Sequence, residues 1–205
     1  MLVTAPAKWN PILDLLTLIS NNTDRRELMI LLVIDIQKGI TDERLYAFDS
    51  FVANTVRLIQ TARENQVEVI YFQHDDGPGS GFSAGDRDYE IADQVAPLEG
   101  EKIFTKKINS CFGNREFTAY LEKTEEKTIM IIGLQTNFCI DATVKSAFER
   151  GYKVIVPSGA NSTFDNDYMD GETTWRYYNE MMWPKRFAEC ISTEEAVSLL
   201  KSGRM

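Results

Sequence analysis

The chain has 205 residues, 43% hydrophobic and 26% charged, the composition of an ordinary globular protein of one domain or one domain with an appendage; disordered, collagenous and disulfide-scaffold classes drop out. Its 31 acidic residues outnumber 22 basic ones, a net charge of −9 that argues against any surface tracking nucleic-acid phosphates. No run approaches the roughly 18 apolar residues of a membrane span, and three cysteines without a C-x-x-C pair point to a reducing cytoplasm.

Residues 1–28 read as an accessory segment ahead of the main domain at 29–205. Residues 12–19 are apolar enough for a short helix packed on the outside, and they lack the flanks of a secretory signal. Residues 28–36 run through Ile, Leu and Val without polar alternation, so they predict a parallel strand buried on both faces and ending at Asp35. Val52, Val56 and Ile59 put one face of a helix over 51–66 against the core. A second strand follows at 67–73. Residues 74–85, with four glycines and a proline, form a loop of the length that often carries function.

Residues 101–106 predict a third strand ending in Lys106 and Lys107, 115–123 a helix, and 128–132 a fourth strand. After a turn over 133–138, the stripe Ile140, Val144, Ala147 and Phe148 makes a helix that begins at or beside Cys139 and stops at Gly151. A fifth strand at 153–156, a helix at 171–182 and a sixth strand at 187–191 complete the alternation, and Ser192 with Glu195 forms a capping box for a last helix. Strands joined by helices predict an α/β, doubly wound, mainly parallel sheet of six strands with helices on both faces, a Rossmann-like three-layer arrangement. Ligands bind such sheets at the carboxyl ends of the strands, where strand order reverses. A dinucleotide site is disfavoured because residues 35–41 hold one glycine and no G-x-G-x-x-G.

Three reactive groups fall at strand ends: Asp35, Lys106 and Cys139. A cysteine at a helix N-terminus beside a cation is expected to ionise easily. An aspartate nearby would carry the proton from thiol to leaving amine, and N–H groups opening the helix would meet an oxyanion. Taken singly, each residue has a plainer reading: buried structural cysteine, turn-forming aspartate, solvated lysine.

The segments Leu-Leu-Val-Ile-Asp35-Ile-Gln37, Phe104-Thr-Lys106-Lys-Ile-Asn-Ser110-Cys-Phe112 and Gly133-Leu-Gln-Thr136-Asn-Phe-Cys139-Ile140 together resemble the signature regions of the isochorismatase-like cysteine hydrolases, a superfamily that includes nicotinamidases. The likeness extends over about residues 29 to 200. It implies a catalytic triad of Asp35, Lys106 and Cys139, with Lys106 rather than Lys107 because Ser110 lies four positions on. It further implies a cis peptide between Leu134 and Gln135 that aims the amides of Gln135 and Cys139 into an oxyanion hole. The activity implied is cleavage of a small amide, ureido or carbamoyl C–N bond through a thioester. Alternatives are vinyl ether hydrolysis of the isochorismatase type, or a non-catalytic binder or thiol redox sensor on the same fold.

Nicotinamidases hold a metal on an Asp and two or more histidines after the second strand. This chain has one histidine, His74, so no metal or other cofactor is expected and His74 reads as a hydrogen-bonded loop anchor. Gln37, Asn109, Phe112, Phe138 and Thr163, with Tyr168 and Trp175 as further possibilities, are expected to line the substrate pocket. Cys111 and Cys190 read as core. The aromatic and methionine-rich stretch from 175 to 183 suggests a subunit interface in a homodimer or homotetramer. The partners expected are thus a small-molecule substrate and further copies of the chain, with neither nucleic acid nor membrane.

Overall fold

A computed structural model describes residues 29–124 and 126–202. The accessory segment at 1–28, with its expected short helix, lies outside the described residues. Strands β1 (Met29–Ile34), β2 (Glu68–His74), β3 (Lys102–Lys106), β4 (Thr128–Leu134), β5 (Lys153–Pro157), β6 (Asn161–Ser162) and β7 (Glu189–Ile191) form one sheet. Its order is β3-β2-β1-β4-β5-β7, with β6 beside the end of β4, and all its pairings are parallel. Seven strands replace the expected six. The additional one, β6, pairs only Asn161 and Ser162 with Gly133 and Leu134, a length too short to show any apolar pattern.

Among the described residues five α-helices accompany the sheet: α1 (Phe48–Glu64), α2 (Arg115–Leu121), α3 (Asp141–Glu149), α4 (Gly171–Arg176) and α5 (Thr193–Ser202). Both faces are covered, as the unbroken apolar run of β1 requires. Leu31 and Val33 pack with Phe51 and Leu58 of α1 and Val197 and Leu200 of α5. Ile30, Leu32 and Ile34 point the other way, to Phe117 of α2, Val144 of α3 and Trp183. Burying each such side chain is worth about 1.5–3 kcal/mol. Ser192 Oγ accepts the N–H of Glu195 while the Glu195 carboxylate accepts the N–H of Ser192, the reciprocal cap that starts α5.

The helix expected over 171–182 is α4 continued by a π-helical turn, Tyr177–Met182. Much of the stretch read as an interface faces inward. Trp183 is fully buried and donates its indole N–H to Asp141 Oδ1 at 2.9 Å, and Trp175 donates to the Ser158 carbonyl. Tyr177 and Met181 remain exposed.

The chain builds β1, steps outward to β2 and β3, then returns to place β4 on the other side of β1. Strand order therefore reverses between β1 and β4. Gly133 pairs with Ile34 at this junction with φ of +127°, and a Cβ there would run into the Ile34 carbonyl. Gly133→Ala is accordingly expected to cost more than about 3 kcal/mol, from strain and collision together. Urea unfolding checks this, and a loss under about 1 kcal/mol would mean the two backbones separate freely.

Candidate active site

Asp35 directly follows β1 in the left-handed region, φ 52°, a conformation aspartate tolerates better than most side chains. Its N–H is held by the Phe72 carbonyl. Lys106 is the last residue of β3, and Cys139 sits in a π-helical turn, Thr136–Ile140, that joins β4 to α3. The sequence suggested an α-helix starting near Cys139; the wider turn comes first and α3 begins at Asp141. The ammonium of Lys106 lies 2.6 Å from Asp35 Oδ2 and 3.2 Å from Cys139 Sγ. Neither Lys106 nor Asp35 exposes more than 2% of its side chain. Three residues remote in the chain thus meet on one buried nitrogen.

Burial dominates the electrostatics. It raises the Asp35 carboxyl above its ordinary range, with Lys106 offsetting only part of the effect. Burial pulls Lys106 down, but Asp35, Cys111 and Cys139 around it more than compensate, so it stays charged. Burial and then the Asp35 carboxylate push the Cys139 thiol up to about 12, against the pull of Lys106. This corrects the expectation of a resting thiolate: desolvation and a neighbouring anion outweigh the helix terminus and the cation. Both effects favour the thiol over the thiolate at rest. Its carboxylate neighbour is equipped to take the proton, because Asp35 Oδ1 is buried with no hydrogen-bond partner among the described residues.

The turn carrying Cys139 is braced on several sides. The Leu134–Gln135 peptide is cis, at the position the resemblance implies. The Gln135 carbonyl accepts from the N–H groups of Phe138 and Ile140. Thr143 donates to the Cys139 carbonyl at 2.7 Å and accepts from the Cys111 N–H. Thr136 donates to Asn161, whose amide exchanges two hydrogen bonds with Asn179.

Above Cys139 opens a pocket of about 260 Å³, with Asp35 and Cys139 at its base. Ile40, Phe82 and Phe138 give it apolar walls; His74, Asp76, Asn109 and Gln135 add polar ones. Of the residues expected to line the pocket, Asn109 and Phe138 do so, and Asn109 Oδ1 is 3.8 Å from the sulfur. Three other expected pocket residues lie elsewhere. Gln37 is wholly buried and uses its amide to clamp the backbone of His74 and the Tyr89 carbonyl. Phe112 stacks in a cluster with Phe117 and Tyr152. Thr163 is buried and donates to Asn137 Oδ1 at 2.6 Å, with Gln135 Oε1 3.2 Å from the same hydroxyl, so it braces the turn. Tyr168 is almost fully exposed and Trp175 packs on Tyr46. Position after a catalytic strand does not say which way a side chain points. Asp76 and Phe82, which sequence reasoning missed, come from the glycine-rich loop after β2, where no periodicity exists to read.

Ligand atoms of Asp35, His74 and Cys139 lie within 4.8 Å of one another. The Lys106 nitrogen is 2.6 Å, 3.0 Å and 3.2 Å from them, so the position such donors offer a cation is already filled by one. These residues do not fit a metal. Cys111 is fully buried and its thiol is raised by that burial, as the core reading of it anticipates. Among the described residues no helix is long and apolar enough to cross a membrane.

An isochorismatase domain model matches residues 29–195. The isochorismatase family protein YrdC of Bacillus subtilis is 27% identical over 175 residues, covering 82% of this chain and 94% of its own. The ureidoacrylate amidohydrolase RutB of Rhizobium rhizogenes is 24% identical, covering 88% of this chain and 85% of its own. Among solved structures, a cysteine hydrolase from Pseudomonas syringae pv. phaseolicola superposes with a TM-score of 0.78 at 26% identity, over 87% of this chain and 95% of that one.

Proposed function

The chain belongs to the isochorismatase family, and on that premise we propose that it is a metal-independent cysteine hydrolase cleaving a small amide, ureido or carbamoyl C–N bond. The observation that carries this reading is the Lys106 ammonium shared between Asp35 and Cys139 at the base of the pocket. Relatives named for ureidoacrylate amidohydrolysis and for streptothricin hydrolysis support the bond class.

As substrate enters, Asp35 takes the Cys139 proton and Sγ bonds to the carbonyl carbon, whose π electrons move onto oxygen. Lys106 stabilises the sulfur as it ionises, and the N–H groups of Gln135 and Cys139, on the turn bordering the pocket, are placed to meet the oxyanion. The oxyanion collapses, the C–N bond breaks and Asp35 returns its proton to the departing nitrogen. A thioester remains on Cys139. Water then adds to its carbonyl carbon, Asp35 accepts the water proton, the C–S bond breaks and the sulfur recovers the proton. A carboxyl raised by burial suits both transfers, since a strong acid would hold a proton too loosely to deliver it.

The pocket wall favours an uncharged substrate. It carries the partly exposed carboxylate of Asp76 and neither lysine nor arginine, while the buried Lys106 is already engaged. In a screen of amides, carbamates and ureides, neutral compounds are expected to exceed their carboxylate-bearing counterparts by at least about tenfold in kcat/KM. The screen, with Cys139→Ala as control, tests both statements: no hydrolysis of any compound would contradict the C–N hydrolase reading, and hydrolysis confined to carboxylated compounds would contradict the preference for uncharged ones.

A further inference from the structure

The scheme above leaves one pocket residue without a task. His74 ends β2, its backbone fixed on both sides by the buried amide of Gln37. Its Nδ1 lies 3.0 Å from Lys106 Nζ, and its Nε2 lies 3.1 Å from Oδ1 of Asp76. An ammonium has three donors and no acceptor, so Nδ1 must be the bare nitrogen of the ring. The ring proton then resides on Nε2, where the Asp76 carboxylate accepts it.

All three Lys106 protons thereby acquire an acceptor: Asp35 Oδ2 at 2.6 Å, His74 Nδ1 at 3.0 Å and Cys139 Sγ at 3.2 Å. The directions are coupled, because a tetrahedral ammonium held at two corners has its third aimed. We infer that His74, oriented by Asp76, is a positioning residue that holds Lys106 toward Cys139, and that it does so only as the neutral ring. Protonation turns Nδ1 into a donor facing another cation, and Lys106 must move off. The groups that face the imidazole are Lys106 from β3, Asp35 from the end of β1, Cys139 from the turn after β4, and Asp75 and Asp76 from its own loop. This role rests on the hydrolase reading for its turnover effects, but the ammonium's aim also governs how readily the sulfur ionises without substrate.

The test therefore has two readouts across pH 5 to 9: kcat/KM with the best amide from the screen, and the rate at which iodoacetamide alkylates Cys139, followed by mass spectrometry. His74→Leu removes the acceptor and is expected to lower kcat and alkylation by about tenfold or more at every pH, with KM changed by less than about threefold. His74→Asn restores an oxygen acceptor that does not protonate. It should recover most of that loss at pH 8, and its rate relative to the unaltered protein should climb about tenfold toward pH 5. Unchanged kcat and alkylation in His74→Leu, or a His74→Asn rate that does not climb relative to the unaltered protein toward pH 5, would overturn the inference. If alkylation follows the predicted pattern while no amide is cleaved, it is the hydrolase reading that fails and the role of His74 stands.

Discussion

Cys139→Ala is expected to lower kcat by at least about 10⁴-fold, because it removes the atom that forms the covalent intermediate. Stability should hardly change. The substitution deletes one small atom at the base of an open pocket, and the cysteine backbone stays braced by Thr143 and by the turn around Gln135. Thermal unfolding and a tryptophan emission spectrum matching the unaltered protein would establish that the fold survives. Quenched-flow mass spectrometry on the unaltered protein should then find the acyl group on Cys139 and not on Cys111, which is sealed inside the core. Retained turnover in the alanine variant, or acylation elsewhere, would remove the nucleophile from the scheme.

Lys106→Met should damage stability and activity together. It leaves Asp35 almost fully buried with its only ion-pair partner gone, a change that typically costs about 3–5 kcal/mol. The sign of the pH dependence follows from the direction of the Asp35 shift. A carboxyl raised in the folded state binds more protons folded than unfolded, so it contributes more favourably as pH falls. Without Lys106 the carboxyl rises further, and the variant should regain stability relative to the unaltered protein as pH is lowered from 8 to 5. The double variant Asp35→Asn/Lys106→Met, which removes both charges and keeps at 35 a side chain suited to the left-handed backbone, should recover part of the lost stability at neutral pH. It should nevertheless remain inactive. Urea unfolding at several pH values reads each part. A Lys106→Met variant as stable as the parent at pH 8 would show that the ion pair contributes nothing to the fold.

Much of the architecture was legible because parallel strands covered on both faces must be apolar throughout. β1 and β4 show this without ambiguity, and their ends locate Asp35 and the Cys139 turn. Two elements left no such trace. β6 is a pair of residues held by Asn161 and Ser162, polar groups that serve as braces, and the π-helical turn differs from an α-helix only in hydrogen bonds that sequence periodicity cannot resolve. The site divides along the same line. Which residues stand at strand ends could be read, but not the direction of each side chain: Asn109 and Phe138 face the pocket, whereas Gln37, Phe112 and Thr163 turn into the core or brace the turn. The ionisation state of the sulfur was also beyond a linear reading, because it depends on how deeply three distant residues are withdrawn from water together.

The loop after β2 has a bearing on how such a protein acquires new chemistry. Its glycines at 77, 79, 81 and 85 all adopt positive φ with open space where a side chain would begin, and the two side chains it lends the pocket are attached to no strand or α-helix. The reacting groups, by contrast, are anchored to the sheet or to the braced turn after it. Apart from Asp76, the partner of His74, selectivity and reactivity are therefore inherited through different stretches of backbone. Grafting a foreign segment between Asp76 and Asp86 offers a way to redirect the proposed nucleophile to another molecule without reopening the interior that sustains it.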